Sequence, residues 1–121
     1  MTKTQNSKPY DLEDRTLEYA KRVREFVKKL PKSIGNIEDG KQLIRASGSV
    51  GANYIEANEA LSKKDFAMRI KISRKEAKES RYWLKLVDIS NDPEHERKQS
   101  YLIQEATELM NIFGAILQKS K

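Results

Sequence analysis

Apolar residues recur every three to four positions through most of the chain, and this spacing predicts four helices. From about Asp11 to Leu30, the residues Leu12, Thr16, Tyr19, Val23, Phe26 and Leu30 fall on one stripe, as a turn of ~3.6 residues requires. Asp11, Glu13 and Asp14 suit the positive N-terminal end of that helix, and Lys28 and Lys29 its negative C-terminal end. Pro31 stops it, because proline cannot continue the hydrogen-bond ladder, and residues 31–36 read as a turn. A second helix is expected from about Ile37 to Ala60, striped by Leu43, Ser47, Val50, Tyr54, Ala57 and Leu61. A third runs from about Lys63 to Ile89, with Phe66, Ile70, Ser73, Ala77, Ser80, Leu84 and Val87 inward. Ser62 opens it in a capping-box pattern, with Asp65 in the place of the usual Glu or Gln. The fourth runs from about Pro93 to Gln118 on Leu102, Ala106, Leu109, Phe113, Ile116 and Leu117, with Asp92 as N-cap. Residues 1–10 read as a disordered polar tail and residues 11–121 as the folded unit. Four helices joined by three short links give an all-α fold, an antiparallel up-down-up-down four-helix bundle.

Two features go beyond that pattern. The middle of the second helix is made of small residues, Ala46, Ser47, Gly48, Ser49, Gly51 and Ala52. Glycine in a helix interior costs ~1 kcal/mol against alanine, a cost that a close helix crossing offsets. The second feature is a surplus of apolar residues off the stripes. Ile72, Trp83, Met68 and Leu86 lie to one side of the third helix, Tyr101 and Ile112 on one shoulder of the fourth, and Ile44 and Ile55 off the stripe of the second. A monomeric bundle buries about one stripe per helix. The surplus is therefore either a wide core edge or a subunit interface formed by Ile72, Trp83, Leu86, Tyr101 and Ile112.

Composition sharpens both points. The 121 residues are 37% hydrophobic and 35% charged, against about 45–50% and about 25% in ordinary domains. So modest a core gains from association with further copies. The net charge is +6, which favours polyanionic partners. It is concentrated in residues 61–90, which carry nine Lys or Arg against four Asp or Glu. In the third helix, Lys64, Lys71, Arg74, Lys75, Lys78, Arg81 and Lys85 share one flank, while Asp65, Glu76 and Glu79 share the other. Cations along ~20 Å of helix can follow a phosphate backbone. The competing possibility is a solvated face paired with acids of the second or fourth helix. Lys21, Arg22, Lys28 and Lys29 of the first helix are further basic residues that could join the stripe.

Other chemistry finds no support. There is no Cys and one His, His95, which excludes disulfides, thiolate metal sites, and di-iron bundles built on two Glu-x-x-His pairs. No metal and no cofactor is expected. Gly48-Ser49-Val50-Gly51 lacks the Gly-Lys-Ser/Thr ending of a phosphate loop. His95 is expected to be exposed in the first turn of the fourth helix, and no Ser has a base near it in sequence. Asn53 and Glu56, one turn apart, could pair with a basic residue of a neighbouring helix or subunit. The longest apolar runs are two or three residues, against the ~20 of a membrane span. The polar N-terminus shows no export signal, so a cytoplasmic protein is expected.

The stretch Gln42-Leu43-Ile44-Arg45-Ala46-Ser47-Gly48-Ser49-Val50-Gly51-Ala52-Asn53-Tyr54-Ile55-Glu56-Ala57 resembles the second-helix signature of the 23S rRNA intervening-sequence proteins. Ser62-Lys63-Lys64-Asp65-Phe66, Lys75-Glu76-Ala77-Lys78-Glu79 and Tyr82-Trp83-Leu84 resemble its third-helix signature. Ala57 departs from it, since many members carry Gly there. The resemblance implies a short antiparallel bundle assembled into a ring, typically a homopentamer. A related branch, the accessory variability determinant of diversity-generating retroelements, is basic and pentameric and binds nucleic acid and a reverse transcriptase. The expected function is that of a non-enzymatic homo-oligomer binding RNA or another nucleic acid through Lys71, Arg74, Lys75, Lys78, Arg81 and Lys85. The alternative is a scaffold that docks an acidic protein partner.

Overall fold

The computed structural model describes residues 11–120, and the tail expected over residues 1–10 lies outside them. Its elements are α1 (Leu12–Lys28), α2 (Ile34–Asn58), α3 (Lys63–Leu86) and α4 (Pro93–Lys119), with no strand among the described residues. The α1 stripe is buried as expected, from Leu12 to Leu30. α2 begins three residues early, because Ser33 takes the cap position and its side chain accepts from the Asn36 amide. It also ends early, at Asn58, which leaves Leu61 in the following link and fully exposed. The Ser62 cap of α3 is present, with Oγ accepting from the Asp65 amide at 3.0 Å. The Asp92 carboxylate accepts from the Glu94 and His95 amides and opens α4 at Pro93.

α2 packs most extensively on α3, then α3 on α4, α1 on α2, and α1 on α4. The four contacts close a square in which α1 and α3, and α2 and α4, are diagonal. Side chains fill its centre. Tyr19 of α1 meets Ser80 of α3 across one diagonal at 2.6 Å, both buried. Ser80 donates to the Ala77 carbonyl, so the Tyr19 hydroxyl is the donor of that bond. Burial pushes the Tyr19 phenol above its ordinary range. Across the other diagonal, the rings of Tyr54 and Phe113 lie 5.9 Å apart. The buried Asn36 ties the start of α2 to the α3–α4 link: its amide donates to the Pro31 and Asp88 carbonyls and its oxygen accepts from the Asp88 amide.

The small residues of α2 behave unequally. A Cβ at Gly51 would lie 2.7 Å from Thr16 Oγ1, so α1 and α2 approach through that glycine. A Cβ at Gly48 would meet nothing nearer than Arg24, at 3.8 Å, so the expected close crossing does not use Gly48. Gly40 makes a second approach, to Val27 at 2.9 Å. Gly51→Ala should therefore destabilise the fold by about 1–3 kcal/mol through overpacking. Gly48→Ala should stabilise it by up to about 1 kcal/mol through helix propensity alone. Urea unfolding of the two variants checks this, and a shift of the same sign in both would contradict it.

Candidate nucleic-acid interface

Four glutamates of α3 and α4 pair with arginines of the helices next to them rather than with the α3 stripe. On the α2 side, Arg45 pairs with Glu76 at 3.4 Å and with Glu79. Glu79 also accepts from the Trp83 indole N–H at 3.1 Å. The indole first, and then Arg45, hold the Glu79 carboxyl below the usual carboxylate range. On the α1 side of α4, Arg15 pairs with Glu105 at 2.7 Å and Glu108 at 2.8 Å. On each acidic edge one arginine of the adjacent helix thus bridges two carboxylates and offsets part of their charge.

The cations of α3 occupy the remaining flank, beside α4 and outward. Arg81 is half-buried and donates from Nη1 to Thr107 Oγ1 at 3.1 Å. One turn pair earlier, Arg74 lies over Gly114: a Cβ there would sit 3.5 Å from Arg74 Nε. These two guanidiniums lie against α4, and Arg74 is exposed along with Lys71, Lys75, Lys78 and Lys85. Among the described residues, none of the six makes an ion pair with a carboxylate. The expected competing arrangement, a face paired with acids of α2 or α4, is therefore absent among those residues. From Lys71 to Lys85 the stripe runs ~21 Å at ~1.5 Å per residue. The α1 cations do not extend it. α1 is diagonal to α3, and Lys21 and Arg22 line a groove between α1 and α4.

The five candidate interface residues fall on two edges. Ile72, Trp83 and Leu86 lie a helical repeat or a turn from Glu79, on the edge of α3 toward α2. Tyr101 lies under the Arg22 guanidinium, 5.2 Å from its ring centre, on the edge of α4 toward α1. Ile112 follows Glu108 by one turn on that same edge and packs partly on the core. The two edges are on opposite sides of the square. Trp83 is half-buried and hydrogen-bonded, whereas Leu86 is 50% exposed and Tyr101 51%.

Some residues escape sequence reasoning. Asn53 does find a basic partner, accepting from Arg69 of α3 at 3.0 Å. Arg45 and Arg15, which bridge the glutamates of the two acidic edges, carry no local signal, because partners lie 34 and 90 residues away. His95 is not exposed as expected. Its side chain is mostly covered and its buried Nδ1 has no hydrogen-bond partner. Gly48-Ser49-Val50-Gly51 lies inside α2, where no loop can wrap a phosphate. No group of three His, Cys, Asp or Glu able to hold a metal is found among the described residues. Among those residues no helix is long and apolar enough to cross a membrane.

The fold and this surface define a small all-α protein of four packed helices with one basic flank whose cations make no ion pair among the described residues. The description "23S rRNA-intervening sequence protein" matches residues 10–115. The chain belongs to that family. It is similar to the crystal structure of a protein of unknown function from the S23 ribosomal protein family of Bacteroides thetaiotaomicron. That match has 28% identity and a TM-score of 0.73, and covers 88% of this chain and 97% of the other. No curated protein matches the chain.

Proposed function

We propose that the protein is a non-enzymatic, cytoplasmic homo-oligomer that binds RNA or another nucleic acid along the exposed flank of α3. One observation carries this reading: Lys71, Arg74, Lys75, Lys78, Arg81 and Lys85 share a flank without carboxylate partners among the described residues, while the neighbouring acids are satisfied elsewhere. Uncompensated cations in a row neutralise phosphates and release their counterions. The family's name, with its reference to rRNA, supports the same direction. The test is anisotropy of a labelled RNA titrated with purified protein alone. Binding without any protein partner supports the reading. Its absence at low salt turns the search to an acidic protein docked on the same flank.

The helix directions in this reading alternate along the chain. The α2–α3 pairs support it, since Asn53 meets Arg69, Val50 meets Ser73 and Arg45 meets Glu76 and Glu79, in opposite chain order. Ring assembly is supported by the two apolar edges on opposite sides of the square. A ring needs such unlike faces, one on each side of every subunit. Leu86→Glu places a charge on an exposed position and should leave the subunit fold intact while reducing the assembly to smaller species. Light scattering should give a multiple of 14.0 kDa for the parent. A parent that is monomeric would refute the ring.

A further inference from the structure

We infer that the basic flank takes unpaired nucleotides, with Tyr82 as the platform on which a base stacks. The inference rests on the nucleic-acid reading above and adds the conformation of the strand that is bound. Tyr82 is 58% exposed, far more than any ring of the core. Helical spacing sets it beside three cations, with Lys78 four residues before it, Lys75 seven before and Lys85 three after, while Glu79, three before, is engaged by Arg45 and the Trp83 indole. Its neighbour Trp83, by contrast, is half-buried and committed to Glu79. The Trp83 ring meets Tyr82 nearly edge-on, at 5.0 Å between centres and 78° between planes. That contact steadies the tyrosine from one side and leaves the ring open to solvent.

The other half-exposed ring among the described residues, Tyr101, shows the contrast. Arg22 stacks on it, and its edge carries the acids Glu105 and Glu108. Among the described residues no cation stacks on Tyr82. An aromatic face open to solvent, flanked on its own helix by lysines, is the pairing that single strands use. The lysines hold the phosphates and the ring stacks a splayed base. A duplex offers phosphates but keeps its bases stacked on one another, so it gains nothing from Tyr82. The prediction is a preference for single strands that depends on this one side chain.

The experiment compares a labelled single-stranded RNA with a duplex of equal length, using the parent, Tyr82→Ala and Tyr82→Trp. All three are first checked for equal oligomer mass. The parent should bind the single strand at least tenfold more tightly than the duplex. Tyr82→Ala should bring the two to within about twofold while keeping the salt dependence, and Tyr82→Trp should restore the preference. Trp83 is the only tryptophan, so in the parent and Tyr82→Ala its emission is a local readout. It should change when the single strand binds the parent and stay constant in Tyr82→Ala. Equal binding of both RNAs by the parent, or an unchanged preference in Tyr82→Ala, overturns the stacking inference and leaves the nucleic-acid reading standing. A loss of oligomer mass in Tyr82→Ala also overturns it, because the ring would then belong to a subunit contact. Failure of the parent to bind either RNA removes the nucleic-acid reading itself.

Discussion

Phe113→Ala should destabilise the protein by about 3–5 kcal/mol, the range for truncating a fully buried phenylalanine. The side chain has no exposed surface and stands on the inward stripe of α4. It meets Tyr54 of α2 across the square, 5.9 Å between ring centres. Helices on a diagonal do not touch through their backbones, so the centre is filled by the largest side chains or left empty. Close-packed helices cannot collapse into a hole of that size without losing contacts elsewhere. Domains of this kind hold only about 5–15 kcal/mol in total, so the loss is a large share of it. Ile112→Ala, one residue earlier and half-buried on the shoulder, should cost less. Urea unfolding at one fixed protein concentration checks both, since association and folding are linked. A loss under about 1 kcal/mol for Phe113→Ala would show that the centre of the square is not what holds it together.

The second large effect concerns the α3 flank. Replacing Lys71, Arg74, Lys78 and Arg81 by Glu should weaken RNA binding at least a hundredfold. Four phosphate-neutralising charges become four that repel, and only Lys75 and Lys85 of the six remain. The substitutions should cost little stability. Lys71 and Lys78 are exposed, Arg74 rests on Gly114, and Arg81 gives up one hydrogen bond, to Thr107. Such a bond contributes about 1 kcal/mol. Circular dichroism and oligomer mass should therefore match the parent. A variant that keeps both and still binds RNA at parental strength would place the interface elsewhere on the molecule.

The helices were legible in the sequence wherever a stripe and a stop signal agreed. α1 has both, in Leu12 to Leu30 and Pro31, and its core positions are buried as read. α2 shows what periodicity misses. Ile34, Gly35 and Asn36 look like a turn after Pro31, but Ser33 caps them into the helix. Leu61 continues the spacing of its stripe, yet the chain has already left the helix and the residue faces solvent. Glycine carries a double meaning that spacing cannot resolve: Gly51 is a contact with Thr16, whereas Gly48 is open.

The surface was legible on one helix and not between helices. The segregation of Lys and Arg from Glu76 and Glu79 follows from ~100° per residue alone. What makes the basic flank uncompensated is decided by Arg45 and Arg15, each on another helix. The surplus apolar residues read as one interface because a single-helix projection has no second helix in it. Only the packing of α2 on α3 and of α1 on α4 separates Ile72, Trp83 and Leu86 from Tyr101 and Ile112.

The most direct test of the central claim is the salt dependence of RNA affinity for the parent and the four-site Glu variant, by anisotropy between about 50 and 200 mM salt. Four to six neutralised phosphates predict a slope of log K against log salt of about −3 to −4 for a single strand, or about a hundredfold weakening over that range. The variant should bind too weakly for a slope to be measured. A parent that does not bind RNA at the lowest salt, or whose affinity is insensitive to salt, would contradict the account.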